Sequence, residues 1–304
     1  MEFLPLTEDL VTKVARLVNR SLEFEAVTPW TVSRCTILDP NFDPKLTVVA
    51  LDKGEPVGTV LGAIRKVPKE MASNEHGWIK LAAFHPRYSG TGLADQLLAF
   101  VEKSLRSRGV NDVRVSDFAG WYFWPGIDFR YQGLLRFFND HGYSKVSESL
   151  DFEVDLTGLR TPSLVLEREV TLLEEGYSFQ AALHEQKEEV TQWIRSNFGP
   201  FWSYEVSEAF RHSTPSVTLA LKGGKMVGFS AHGALELDWF GPIGVVEGER
   251  RKGIGSVLLF KSLINMREEG RRSATIPCGS NLLFFSQIPS IRSVRNYWIL
   301  YKKF

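Results

Sequence analysis

The chain carries one stretch twice, and this repetition constrains its fold more than any other feature. Gly244 to Leu263 reads as an apolar strand end, a charged turn with Gly253 and Gly255, and a helix whose Ile254, Leu258, Leu259, Leu263 and Met266 fall at helical spacing. Phe84 to Leu98 repeats the plan: Pro86 falls on Glu247, Gly92 on Gly253, Ala94 on Gly255 and Leu97 on Leu258. The glycines that end the two helices, Gly109 and Gly270, lie at the same offset. Such self-similarity predicts two copies of one architecture. In each copy, small residues at the helix start allow close backbone approach. The first-turn N–H groups there have no helical partner and lie at the positive end of the dipole, a setting suited to phosphate or pyrophosphate.

The 304 residues suffice for two domains, each with its own core. Basic and acidic residues balance at 36 each, which argues against broad nucleic-acid binding, since that needs a positive excess. Cys35 and Cys278, one in each half, read as reduced thiols, and no clustered His/Cys spacing points to a metal. No apolar run reaches membrane-spanning length and the first ten residues lack the pattern of a signal peptide, so the expected compartment is the cytoplasm.

Along the chain, Leu10, Val14, Leu17 and Val18 mark a first helix, and Thr47–Leu51 and Pro56–Ile64 a hairpin turning at Asp52–Glu55. Strand Gly77–Phe84, the first glycine loop, its helix, a strand at Val113 and Val115, a helix over Leu134–His141 and a closing strand over Val146–Leu156 follow. Arg160–Ser163 reads as the linker. The second half repeats the order: a helix over Leu183–Ser196, a hairpin of Val217–Leu221 and Met226–Ala231, the loop strand and helix, a strand at Ala274–Pro277, Phe284–Phe285 in the place of Phe137–Phe138, and a closing strand over Tyr297–Lys302. Hairpins mixed with strand–helix alternation predict an α/β (α+β) class with mixed, mostly antiparallel sheets. The expected domains are 1–158 and 164–304. Two aromatic stretches, Trp121–Gly126 and Phe198–Trp202, hold Gly and Pro and read as loops that could line a pocket.

This order of elements and the loop Arg/Gln-x-x-Gly-x-Gly/Ala resemble the GNAT superfamily of acyl-CoA-dependent N-acyltransferases, and the duplication resembles its tandem members, such as those of the mycothiol synthase kind. The second copy matches the loop fully through Arg250, Gly253 and Gly255; the first keeps Gly92 and Ala94 but has Ser89 in the Arg/Gln position. The resemblance implies an N-acetyltransferase that moves an acetyl group from acetyl-CoA to a primary amine of a small-molecule acceptor, with no nucleic-acid or membrane partner. The alternative is an acyl-CoA-binding sensor without turnover. By position it implicates Arg251, Lys252, Gly253, Ile254, Gly255 and Ser256, beside Arg250, in holding the coenzyme pyrophosphate. It places the Val245 N–H against the thioester carbonyl, where a fixed donor stabilises developing charge. The better-matched second domain is expected to bind acyl-CoA, and the first, with Gly92 and Ala94, to be partly degenerate.

Acyl transfer to an amine needs a proton acceptor and a proton donor. Asp238, nearest the second loop strand, is the expected catalytic residue; His232 and Glu236 lie close by in sequence, and Glu75, His76 and Asp117 occupy similar ground in the first half. Relatives place a Tyr acid where this chain has Phe138 and Phe285, which cannot donate a proton; Tyr131, Tyr297 and Tyr301 are the possible substitutes.

Overall fold

The computed structural model describes residues 1–304, and the chain divides into two compact units. The first comprises residues 1–149 with 296–304, the second residues 150–295. In the first unit the elements are β1 (Glu2–Leu4), α1 (Val11–Ser21), α2 (Pro29–Cys35), β2 (Thr47–Asp52), β3 (Glu55–Arg65), β4 (Ser73–Phe84), α3 (Leu93–Arg106), β5 (Asp112–Val115), β6 (Ile127–Asp128), α4 (Gln132–Asp140) and the start of β7 (Ser144–Asp155). Strands β1 to β4 run antiparallel in order, and β5 joins β4 in parallel. Side-chain alternation divides each strand between two cores. Val48 and Ala50 face a layer built on Leu97, Val101 and Leu105 of α3. Val49 and Leu51 face Val14 and Val18 of α1 and Val32 of α2. Gly62 lets α3 approach: a Cβ there would lie 2.7 Å from Val101 Cγ1 and 2.8 Å from the Leu46 carbonyl.

The second unit holds the end of β7, then α5 (Ser163–Glu174), β8 (Tyr177–Ala181), α6 (Lys187–Phe198), α7 (Pro200–Ala209), β9 (Val217–Lys222), β10 (Lys225–His232), β11 (Phe240–Val245), α8 (Ile254–Glu268), β12 (Ser273–Ile276), α9 (Leu282–Phe285) and the start of β13 (Ile291–Lys303). Strands β8 to β11 form an antiparallel sheet in chain order. Helix α8 packs on one face, while Val190 and Ile194 of α6 and Val206 of α7 pack with Phe229 on the other. No helix is long and apolar enough to cross a membrane.

Most anticipated elements form, with two departures. Arg160–Ser163 is a short connection that runs at once into α5, and Phe198–Trp202 is the junction of α6 and α7 rather than a loop. There Phe198 and Trp202 stack at 5.6 Å and pack on Phe229, with Phe198 half-buried and Trp202 exposed.

The closing strands correct the expectation of contiguous domains 1–158 and 164–304. Residues 152–155 of β7, the closing strand of the first half, pair with Ser273–Ile276 of β12 in the second unit. The end of the chain does the reverse: Leu300 to Lys303 pair with Val115 to Asp112 of β5, and Tyr297 and Trp298 with Asp128 and Ile127 of β6. Each unit is therefore closed by a strand from the far part of the sequence. A chain ending at Arg295 loses the buried Tyr297, Ile299 and Leu300. Burial of such apolar side chains is worth roughly 1.5–3 kcal/mol each, a sum on the scale of a domain's total ~5–15 kcal/mol. This truncation is expected to abolish the cooperative melting of the first unit in scanning calorimetry and to leave that of the second. Two undiminished transitions would refute the exchanged pairing.

Candidate active site

In the first unit β4 and β5 stay paired only from His76 and Asp112 to Ile79 and Val115, then part. The parting coincides with a bulge: Leu81 lies opposite Leu61 and Ile79 opposite Gly62, leaving Lys80 as the extra residue. The bulge resets the alternation, so that Ile79 and Ala82, three residues apart, face the same core. At the end of β5, Ser116 and Asp117 both take positive φ, of 64° and 45°, conformations that L residues rarely adopt. Between the strands opens a small cleft. Its walls include Leu81, Ala82, Val115 and Ser116 from the strands, Glu25 from the connection after α1, Trp124 of the aromatic stretch and Asp128 just beyond it, and Tyr131 and Phe138 from α4.

The polar groups of the cleft are held in place. Arg130 grips Asp128 through Nε at 2.9 Å and Nη2 at 2.6 Å, which neutralises a fully buried carboxylate. The Tyr131 hydroxyl accepts the Phe24 amide at 2.7 Å, and the Tyr297 hydroxyl donates toward Glu25 Oε1 at 3.5 Å. Burial lowers the pKa of the Lys80 ammonium, and Asp39 opposes that shift. Burial raises that of the Asp117 carboxyl against the pull of Arg114, whose Nη2 lies 2.5 Å away.

The two glycine loops share one backbone. Gly90 and Arg251 take φ of 72° and 62°, and Gly92 and Gly253, which precede α3 and α8, take 75° and 87°. Their surroundings differ. A Cβ on Gly90 would meet nothing within 4 Å, and one on Gly92 only Asp95 Oδ2 at 3.9 Å. The amides of Gly90, Gly92, Leu93, Ala94 and Asp95 donate to no protein group. Asp95, the nearest anion, points instead to His141 Nε2 at 3.1 Å. The first loop thus offers an open row of donors that fits a pyrophosphate.

Side chains lie against the second loop. Arg168 of α5 lies across Gly253, its Cγ 2.6 Å from where a Cβ would stand, and its Nε donates to the Lys252 carbonyl. Lys252 Nζ is 2.8 Å from Glu249 and 3.3 Å from the Tyr177 hydroxyl, and Arg250 folds back so that its Nε donates to the Val245 carbonyl at 3.0 Å. Arg251 is exposed, Ile254 is buried, Ser256 is half-buried, and the Phe284 ring lies 3.2 Å from a Cβ on Gly255. Strands β11 and β12 meet only at Trp239 and Thr275, and Phe152, Phe285 and Ile288 join Phe240 and Ile276 in one core beside them. The set anticipated to hold the coenzyme, Val245 and Arg250 to Ser256, is brought together with Arg168 against Gly253 and Phe284 against Gly255; the amides of Arg251, Gly253, Ile254, Gly255 and Ser256 donate to no protein group, and Gly253 and Gly255 stay half-buried.

Asp238 is an exposed turn residue whose carbonyl accepts the Thr275 amide at 2.9 Å. His232 is buried against Glu269 at 2.9 Å, and burial lowers its pKa. His76 faces Asp112 at 2.9 Å outside the cleft. Of the substitute tyrosines, Tyr131 lines the cleft, Tyr297 reaches Glu25, and Tyr301 pairs along the sheet with Arg114. The residues missed from the sequence are Glu25, Lys80 and Asp128. Asp128 lies two residues beyond the aromatic stretch Trp121–Gly126, which is the nearest signal in the sequence; Glu25 and Lys80 carry none in the pattern.

A family model for the "Acetyltransferase (GNAT) family" matches residues 15–119. An acetyltransferase of Pectobacterium atrosepticum is 34% identical over 105 residues, covering 30% of this chain and 67% of the relative. The chain belongs to the GNAT acetyltransferase family. An acetyltransferase of Photorhabdus laumondii is 31% identical over 97 residues, and the match spans 61% of its length. Among solved structures, a tandem GNAT protein from the clavulanic acid biosynthesis pathway aligns over 99% of this chain and 98% of its own, with TM-score 0.64 and 15% identity. A GCN5-related N-acetyltransferase from Sphaerobacter thermophilus aligns over 99% of this chain and 95% of its own, at TM-score 0.73 and 16% identity. The glucosamine N-acetyltransferase region of a fungal multi-domain β-N-acetylglucosaminidase aligns over 99% of this chain and 38% of its own, at TM-score 0.79 and 18% identity. These likenesses establish the α/β GNAT fold along the whole chain. The family model falls on the half with the open loop.

The packing of Arg168 against the second loop has a stability consequence. Gly92→Ala and Gly253→Ala carry the same left-handed strain, of about 1–2 kcal/mol. Only Gly253→Ala must also displace Arg168 from the Lys252 carbonyl, a crowding cost of roughly 1–3 kcal/mol. In urea melts Gly253→Ala is expected to lose about 1 kcal/mol or more beyond Gly92→Ala; equal losses would mean that Arg168 does not pack against the loop.

Proposed function

We propose that the protein is an N-acetyltransferase whose first unit takes the acyl donor, acetyl-CoA, and transfers its acetyl group to the primary amine of a small-molecule acceptor. The observation that carries this reading is the presence in one unit of unspent loop amides, at Gly90 and Gly92 to Asp95, and of a cleft at the divergence of β4 and β5. The second loop has the same backbone, but Arg168 and Phe284 lie against its two glycines, and on this reading it serves as a structural copy. This reverses the choice of half that the loop residues alone suggested.

Acetyl-CoA supplies the acetyl group as a thioester. The amides at the start of α3 would hold its pyrophosphate, since they are unspent and sit at the positive end of a 14-residue helix. The acceptor amine enters beside Glu25, and the Glu25 carboxylate takes the proton that the nitrogen gives up as it attacks. Trp124, Tyr131 and the apolar strand ends exclude water around the reacting atoms. With Phe138 in the usual Tyr position, the α4 side chain there contributes shape and no proton.

Two exposed loop positions separate the halves. Thr91→Glu adds a negative charge beside the first amide row, where a carboxylate favours the helix but opposes a phosphate. It is expected to weaken acetyl-CoA binding in calorimetric titration at least about tenfold, ~1.4 kcal/mol. Arg251→Glu, a change of two charges in the second loop, is expected to change it less than about twofold. The reverse order would return the donor site to the second unit.

Glu25→Gln is expected to leave acetyl-CoA affinity near the parental value and to lower amine-dependent thiol release by roughly 10²-fold. Parental turnover in that variant would remove Glu25 from the chemistry. Tight acetyl-CoA binding with no thiol release for any amine in the parent would favour the sensor reading.

A further inference from the structure

The wall of the cleft contains a buried ion pair that the proposed chemistry does not use. Lys80 Nζ lies 2.5 Å from Asp39 Oδ2 and 2.5 Å from the Cys35 carbonyl, and the two charged side chains are 4% and 1% exposed. Asp39 Oδ1 accepts the Asn41 amide at 2.8 Å and Asn41 Nδ2 at 2.7 Å. Asn41 Oδ1 in turn accepts the amides of Lys66 and Val67, at 2.7 and 2.8 Å. On the other side the Phe118 ring lies 4.6 Å from Lys80 Nζ and 4.0 Å from the centre of the Arg65 guanidinium. Phe118 is fully buried and follows directly on the two left-handed residues that end β5.

A buried ion pair of this kind is a poor source of stability, because desolvation offsets the attraction, and apolar replacements of similar volume are often neutral or better. Its place in the fold points to a different role. Lys80 is the extra residue of the β4 bulge at which the two strands part, and Phe118 is the first residue beyond the turn of β5. The network joins the chain after α2, the connection after β3, the bulge and the residues after β5, and it reaches the cleft through Lys80.

We infer that the Lys80–Asp39 pair, with Phe118 between Lys80 and Arg65, is a positioning device that sets the separation and aim of the two strand ends for acyl transfer. This rests on the reading of the first unit as the transfer site. Lys80 touches no reacting atom. It fixes where the backbone after the bulge stands, and a displacement of about 1 Å at a reacting centre can cost on the order of 10²-fold in rate. A pair that served only stability would leave the rate of a folded variant unchanged.

The test uses the full chain carrying Lys80→Met with Asp39→Asn, which removes both charges together and leaves no buried ion unpaired. The double variant is expected to melt at or near the parental temperature and to bind acetyl-CoA within about threefold of the parent, while kcat for the best amine falls at least about tenfold. Lys80→Gln with Asp39→Asn, which can restore a neutral hydrogen bond across the gap, is expected to recover most of that loss. Parental kcat in the folded Lys80→Met variant overturns the inference. Should that variant not fold, Phe118→Leu decides in the same assay, since it keeps the ion pair and removes the ring that both cations face. Parental kcat there overturns the inference equally. No thiol release from the unaltered protein with any amine would overturn the underlying reading instead.

Discussion

Two parallel strands that begin together and then part create the cleft on which the proposed reading of this molecule rests. From His76 to Ile79 the backbone of β4 is satisfied by β5. Beyond that point the two strands no longer pair, and the chain commits buried polar groups to holding the opening. Lys80 takes the bulge, Ser116 and Asp117 adopt left-handed conformations, and Asp39, Arg65 and Arg114 supply compensating charges. Desolvated ions and strained backbone are costly unless surrounding structure compensates for them. Their concentration around one cleft marks it as the place where the fold gives up stability for function.

The two units show how one local conformation acquires different roles. Gly90 to Ala94 and Arg251 to Gly255 follow the same turn into a helix, with the same two left-handed positions. Access, rather than backbone, separates them. In the second unit α5 lies over α8 with Arg168 against Gly253, and Phe284 packs on Gly255. In the first, α4 is longer and the loop faces no side chain of that kind. The loop residues of the second half match the family more fully, yet side chains lie against both of its glycines. Matching the motif is a condition on the backbone, and binding also requires that the space in front of it be free.

The exchange of closing strands belongs to the same class of facts. Residues 144–155 and 291–303 are both strands, and either would satisfy the edge of either unit on hydropathy alone. The structure pairs each with the other half. Tyr297 thereby enters the first unit, where it is fully buried and its hydroxyl faces Glu25. A residue eight from the end of the chain becomes a neighbour of one in its first thirty.

The sequence by itself determined the local grammar: the hairpins at Asp52 and Lys222, the amphipathic helices starting at Leu93 and Ile254, the left-handed glycines before them, and the duplication that made the fold class readable. These follow from periodicity, turn chemistry and the steric freedom of glycine, all of which act within a few residues. Tertiary structure alone decided which strand closes which unit, that Phe198 and Trp202 pack on Phe229, that Arg168 lies against the second loop, and that Glu25, Asp128 and Lys80 share a cleft with Trp124 of the aromatic stretch. Each of these depends on contacts between residues some 30 to 190 positions apart in the sequence. Burial, hydrogen-bond partners and steric access at such separations are properties of the packed whole, and no local pattern encodes them.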